Sequence, residues 1–521
     1  MKNQSGRGEE GRAEANPGCR MKVLFATSEF ADYAKAGGLG DVSAGLPRAL
    51  RGLGIDVRVL MPAYPEVIAK ASEVSIVADL PARAGIEPCR IGEVHLPDGL
   101  IVYLVLAPSL YQRSGTPYCG PEGFDWADND LRFARLSLAA AELAKGGSGL
   151  AWAPDLLQVN DWPGGLAPAY LRWDGASVPT ILTIHNIAYQ GVFHRERRHL
   201  LGIPEHAFDI AGVEFHGRVS FLKAGMYYAD HVSTVSPTYA REITTEALGA
   251  GLHGLAQGIA AEGRLSGILN GIDESWDPGR DPHLPHRFKA SNLGGKRKIA
   301  DLVRTGLCLA SSRGPLFGVV SRLVHQKGLD IVAEAAGDIV REGGQIAILG
   351  LGDPNTEYRM SRLARSHHGN VSLLIGFNEP MARRILGASD FYLIPSRFEP
   401  CGLTQMQAQR YGALPIAHAT GGLADTIEDG VTGFLFSNCS AEGLHAACRR
   451  AFSVYADPGA LTRMRQAAMA HRFPWSTAAE EYEKLYSRLT GLPILTRSRP
   501  RLPAKPGTAR KRNKEELRVA A

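Results

Sequence analysis

The chain's 521 residues exceed what one ordinary hydrophobic core organises, so two or three domains are expected. Its 45% hydrophobic and 21% charged residues fit a soluble globular protein, and no apolar run approaches the roughly 18 residues of a membrane span. The net charge of +5 comes from the end of the chain: Arg497 to Ala521 hold nine Lys/Arg and two Asp/Glu, or +7, leaving about −2 elsewhere and no electrostatic case for nucleic-acid binding.

Residues 1–20 are polar, lack the apolar stretch of a secretory signal, and read as a disordered extension. Lys22 to Thr27 reads as a buried parallel strand, followed by the loop Lys35-Ala-Gly-Gly-Leu39. Asp41 to Leu53 reads as a helix that Asp41 can cap. Asp56 to Leu60 is a second strand, ended by Pro62. Asp128-Asn-Asp130 precedes a helix, Leu131 to Leu143, and reads as capping rather than as a metal motif. Asp155 to Val159 and Thr180 to Ile184 are strands with a helical segment between them.

This alternation is a doubly wound α/β pattern, and it then restarts. Strands are expected at Leu316 to Val320, Gln345 to Leu349, Val371 to Ile375, Asp390 to Ile394 and Leu414 to Ala417, with a helix from Gly328 to Arg341. The boundary falls between Ser266 and Asp281. The assignment is residues 21–265 for a first Rossmann-like domain and 266–474 for a second. Residues 491–521 form a basic disordered tail. Seven scattered cysteines without a CxxC pair argue against a disulfide framework or zinc site and fit a reducing cytosol.

Open α/β sheets bind ligands beyond the carboxyl ends of their strands, and the distinctive residues all lie there. Ala36-Gly-Gly-Leu-Gly-Asp41 returns as Thr420-Gly-Gly-Leu-Ala-Asp425. Paired glycines let backbone N–H groups approach a ligand, and the following helix points its positive end at the loop. The echo suggests two halves facing one phosphorylated ligand. Neither copy has GxGxxG spacing, which disfavours a dinucleotide dehydrogenase.

Arg322 and Lys327, in Ser321-Arg-Leu-Val-His-Gln-Lys-Gly328, suit a diphosphate. Glu399, held extended before Pro400, can bind sugar hydroxyls, and Gly402, Leu403 and Thr404 open a helix with backbone donors. His185 ends one strand, and Asp161-Trp162 ends the strand before it. Cys401 reads as a packed thiol.

These residues resemble the glycogen and starch synthase family. Lys35-Ala-Gly-Gly-Leu39 is similar to its Lys-x-Gly-Gly-Leu loop. His185-Asn-Ile-Ala-Tyr-Gln-Gly191, Gly267-Ile-Leu-Asn-Gly-Ile-Asp273, Ser321 to Gly328, Pro395 to Thr404 and Thr420 to Asp425 resemble family segments in the family's order. The resemblance covers about Met21 to Leu489. It implies the GT-B fold, two Rossmann-like domains around a cleft, with a last helix at about 475–490 crossing back to the first domain.

The resemblance also implies transfer of glucose from ADP-glucose to the non-reducing end of an α-1,4-glucan, with retention and without a metal or other cofactor. It implies that Lys35 and Gly37–Gly38 approach the phosphates or glucose, with Asp41 beside them. Arg322 and Lys327 would hold the diphosphate, His185 would contact glucose, and Glu399 would bind its hydroxyls. Phe377 would stack on adenine near Gly352 and Asp353. Cys401 to Thr404, with Thr420, Gly421 and Gly422, would supply backbone donors, and Asp161 and Asn270 would line the cleft. Alternatives on the same fold are UDP-glucose as donor, a small phosphorylated acceptor, or an inactive glucan-binding homologue. Pro163, where related enzymes often have His, and Gln407, at a position that is acidic in other retaining transferases, depart from the pattern.

Overall fold

The computed structural model describes residues 20–494 except 72 and 147. The expected N-terminal extension and basic tail therefore lie outside the described residues, save Arg20 and residues 491–494. Among the described residues, no helix is long and apolar enough to cross a membrane.

The first half is built on a nine-stranded sheet. Its order is Leu265–Gly267, His231–Thr234, Thr180–Ile184, Leu156–Asn160, Lys22–Ala26, Asp56–Pro62, Ile101–Leu106, Cys89–His95 and Ser75–Leu80. The first seven run parallel, and the last two fold back antiparallel at the edge. The parallel strands are buried nearly throughout, as expected for strands covered by helices on both faces. The second half is a six-stranded parallel sheet in the order Val371–Ile375, Gln345–Gly350, Leu316–Val320, Phe391–Ile394, Leu414–His418 and Phe434–Phe436.

Three expected strands, Thr180–Ile184, Leu316–Val320 and Val371–Ile375, have the expected bounds, and the others shift by one or two residues. Two helix starts need correction. The first helix runs Gly38–Gly52, so its opening turn lies inside the glycine pair. Asp41 falls in that turn and makes no capping bond, because its carboxylate accepts from Lys35 Nζ at 2.7 Å. The helix near Asp128 runs Asn129–Lys145 and also lacks a side-chain cap. Asp128 instead holds Arg113 through two bonds of 2.8 and 2.7 Å, and Asp130 is paired with Arg197. Arginine forks satisfy these carboxylates better than a single backbone N–H would.

The closing helix, Trp475–Thr490, packs on the first sheet. Ala478, Ala479, Tyr482, Leu485 and Tyr486 join the core of Met21 to Ile268, and Tyr486 OH donates to the buried amide oxygen of Gln158. The chain crosses between halves twice, at 268–273 and 471–475. The two crossings are stitched by Ile272 N–H donating to Phe473 O at 2.9 Å. A Cβ on Gly271 would stand 2.6 Å from Trp475 N, so the close crossing requires glycine there.

Candidate active site

The cleft between the sheets is lined by the loops that leave their carboxyl ends. On the first side, the strand Leu156–Asn160 leads into Asp161, a non-glycine residue at φ 52°. Such backbone is uncommon for a residue with a Cβ and persists only where its surroundings hold it. The Asp161 carboxylate accepts from the backbone N–H of His185 at 2.7 Å and of Asn186 at 3.3 Å. Burial raises this carboxyl from its ordinary 3.8 to about 7, against the lowering effect of those two bonds and with a further rise from Glu29.

His185 is fixed by an amide whose orientation the network assigns. Asn160 Nδ2 donates to Ala26 O at 2.9 Å, so its Oδ1 faces His185 Nε2, also at 2.9 Å. An amide oxygen can only accept, so Nε2 carries the proton and Nδ1 keeps its lone pair. Burial lowers the imidazole to about 3, so the ring is a neutral acceptor at physiological pH.

The glycine loop is held by a residue that the sequence reading missed. Glu29 is 3% exposed, and its Oε2 accepts from Ala36 N at 2.7 Å and Gly37 N at 2.8 Å. These N–H groups, expected to meet an anion, are thus already engaged. What remains toward the cleft is the start of the helix at Gly38. A Cβ on Gly37 would meet nothing within 4 Å, and one on Gly38 would meet only Leu403 Cδ1 at 3.8 Å, across the cleft. No packing inside the chain demands these glycines. Lys35, paired with Asp41, is exposed.

On the second side, Lys327 and Glu399 meet at 2.5 Å. Lys327 ends a short 3-10 turn, His325–Lys327, after the strand Leu316–Val320. Glu399, 7% exposed, follows Phe391–Ile394 and also accepts from Ser396 Oγ at 2.9 Å, on the same Oε2. Arg322 is exposed and reaches across the cleft, its Nη1 3.3 Å from Tyr189 OH. Gly402 takes φ 69°, placing Leu403 and Thr404 at the start of the helix Thr404–Arg410. Cys401 is packed with Val235, Ile272 and Met406. Burial pushes its thiol up to about 12, and Asn270 lies beside it.

Phe377 is 87% exposed at the end of Val371–Ile375. Gly352 abuts Leu323, where a Cβ would fall 2.4 Å from its carbonyl oxygen. Asp353 caps the helix Pro354–Ser366 through Thr356 N at 2.8 Å. Asp353 is thereby accounted for locally.

The second glycine pair does not face the cleft as its echo suggests. A Cβ on Gly421 would lie 1.9 Å from Glu399 O, and one on Gly422 2.0 Å from Cys401 O. These glycines are needed so that the loop can pack behind the Glu399–Cys401 turn. Thr420 Oγ1 and Gly421 N donate to Glu242 of the first half at 2.9 and 3.0 Å. Asp425 in turn accepts from Thr238 N at 2.8 Å and Oγ1 at 2.6 Å. The loop is therefore a support and an interdomain contact.

Comparison with known proteins agrees with this geometry. Residues 22–258 match the starch synthase catalytic domain family, and residues 309–470 match the glycosyl transferases group 1 family. A glycogen synthase of Pseudomonas syringae pv. syringae is 54% identical over 470 residues, which cover 90% of this chain and 97% of the relative. One from Xanthomonas campestris pv. campestris is 51% identical over 465 residues, 89% and 98% of the two chains. The chain belongs to the glycogen and starch synthase family.

Among solved structures, the catalytic domain of Starch Synthase IV from Arabidopsis thaliana, bound to ADP and acarbose, is 31% identical. It has a TM-score of 0.80, with 91% of this chain and 100% of that one covered. Anabaena HepE in complex with UDP and glucose, 16% identical with a TM-score of 0.54, shares the fold alone. Like other members of the glycogen and starch synthase family, the chain is a glycosyltransferase of the GT-B fold. A signal that could have found Glu29 was present, an acid between a buried strand and the family's glycine loop, although Asp32 shares that segment. Tyr118, Asn160, Tyr189 and Glu242 carried no such signal, because their roles depend on contacts between distant segments.

Proposed function

We propose that this glycosyltransferase elongates an α-1,4-glucan, moving glucose from ADP-glucose to the non-reducing end with retention of configuration. The Lys327–Glu399 pair carries the reading. A cation and an acid at adjoining strand ends fit a ligand with a phosphate at one end and sugar hydroxyls at the other. Phe377 offers its exposed ring to the adenine, with Gly352 and Asp353 alongside.

In the proposed reaction Arg322 and Lys327 hold the diphosphate, and the N–H groups at Leu403 and Thr404 add donors at a helix start. Lys35 reaches the phosphate once it leaves Asp41. Glu399 receives glucose hydroxyls, and the Nδ1 lone pair of His185 accepts another. Asp161 and Asn270 line the same cleft.

The acceptor hydroxyl attacks from the leaving-group face through an oxocarbenium-like state. The departing phosphate oxygen takes its proton as the anomeric C–O bond breaks. The protein supplies position and electrostatics. Its cations meet the diphosphate charge without a metal, and the setting proposed is the cytosol.

Incubation with radiolabelled ADP-glucose or UDP-glucose, each with and without glycogen, tests the proposal. Label is expected in polymer from ADP-glucose with glycogen, as α-1,4-linked ends that β-amylase releases. Preference for UDP-glucose, or transfer to a small phosphorylated acceptor instead of glycogen, would overturn it.

A further inference from the structure

Two carboxylates shape the first side of the cleft in the same way. Asp161 grips the consecutive N–H groups of His185 and Asn186, and Glu29 grips those of Ala36 and Gly37. Glu29 does more, because its second oxygen accepts from Tyr118 OH at 2.7 Å. Ser28 Oγ lies 2.9 Å from the same hydroxyl, so donation from Tyr118 to Glu29 leaves Ser28 to donate to Tyr118. The Tyr118 ring is set between Phe133, at 5.9 Å between centroids, and Trp162, at 6.3 Å. Trp162 directly follows Asp161. The glycine loop is therefore tied through one carboxylate to an aromatic cluster at the neighbouring strand end.

We infer that Glu29 is a positioning residue for glucosyl transfer. It fixes the Lys35–Gly38 loop at the place where the transferred sugar must sit, and it does not touch the substrate. The inference rests on the proposed reading, in which the nucleotide is held by the second half through Arg322, Lys327 and Phe377. Loss of Glu29 then loosens the loop over the reacting atoms and leaves intact the nucleotide's principal contacts, which lie in the second half. The important property of Glu29 is its acceptor geometry. An amide in its place can still accept both N–H groups on one oxygen and donate to the Tyr118 hydroxyl, which then donates to Ser28.

Glu29→Ala, Glu29→Gln and Tyr118→Phe, each in the full chain, test this by kcat, ADP affinity and thermal unfolding. A loop misplaced by about 1 Å costs on the order of 10²-fold in turnover, the loss expected for Glu29→Ala. Glu29→Gln should stay within roughly tenfold of the unaltered protein, and Tyr118→Phe should lose about tenfold. ADP affinity should change by less than about threefold in all three, since their partners lie in the first half.

Unchanged kcat in Glu29→Ala, with or without a lowered Tm, would overturn the inference. A fall in Glu29→Gln as deep as in Glu29→Ala, or ADP affinity falling in step with kcat, would also overturn it. Should Glu29→Ala fail to fold, the other two variants decide: the inference falls if Tyr118→Phe keeps full kcat. All ratios are taken against the unaltered protein with whichever donor it uses. Failure with ADP-glucose therefore refutes the functional reading, while the ratios judge Glu29.

Discussion

Lys327 and Glu399, 72 residues apart in sequence, meet at 2.5 Å where two parallel strands end. Each satisfies the other, and a bound nucleotide sugar would offer each a better partner.

Alanine at Lys327 and at Arg322 should separate catalysis from stability. Each substitution should lower turnover by on the order of 10²–10³, or roughly 3–4 kcal/mol, the usual loss for one contact to developing charge. Lys327→Ala also leaves buried Glu399 with Ser396 as its remaining side-chain partner, and should reduce unfolding stability by about 1–3 kcal/mol. Arg322 is exposed, and its replacement should stay within about 0.5 kcal/mol. Urea titration beside steady-state kinetics checks both; near-normal turnover in both variants would remove them from the site.

His185→Ala should lower kcat more than it weakens ADP binding. The imidazole, lowered to about 3 by burial, stays neutral across the physiological range. The pH–rate profile should therefore show no histidine limb between about pH 5 and 8. A limb that vanishes in His185→Ala would contradict the neutral-acceptor role.

Asp161 should mark the pH dependence of stability. Its folded carboxyl is raised from 3.8 to about 7, so the protonated form favours the folded state. That contribution is complete below pH 3.8 and is lost as pH rises through 7. At about 1.4 kcal/mol per unit, the difference between the unaltered protein and Asp161→Asn should change by on the order of 4 kcal/mol over this window. Parallel stability curves for the two proteins would show that the carboxyl is not displaced.

The echoed glycines should respond in opposite ways to alanine. Gly421→Ala places a Cβ 1.9 Å from Glu399 O at φ 43°, and should cost more than about 2 kcal/mol of stability. Gly37→Ala meets no atom within 4 Å, and should leave stability within about 1 kcal/mol while lowering turnover about tenfold or more. Equal stability losses would mean that the two loops share one role.

Nine of the parallel strands, and the placement of Arg322, Lys327, Glu399 and His185 at strand ends, were legible because buried parallel strands are short runs that the turn residues punctuate; the strand order and the parallel strands Ile101–Leu106, His231–Thr234, Leu265–Gly267 and Phe434–Phe436 were not read. The echo of Gly37–Gly38 in Gly421–Gly422 misled, because a glycine pair is required equally by a ligand and by a backbone packed behind it. Only the would-be Cβ contacts distinguish the two. The antiparallel edge strands Cys89–His95 and Ser75–Leu80 went unread, since their alternating, partly exposed pattern is weaker than that of the core strands. Tyr189 and Glu242 act through partners in distant segments, which no local pattern encodes, whereas Glu29 holds N–H groups only seven and eight residues away.

A crystal structure with ADP and a maltooligosaccharide tests most directly whether the cleft at Lys327 and Glu399 is where the nucleotide sugar is cleaved. The expected result has the distal phosphate within about 3 Å of Lys327 Nζ and of the Arg322 fork. Phe377 should stack on the base, and the Lys327–Glu399 bond should open so that Glu399 faces the sugar. ADP bound elsewhere, or bound with the Lys327–Glu399 pair intact and Phe377 still free, would contradict it.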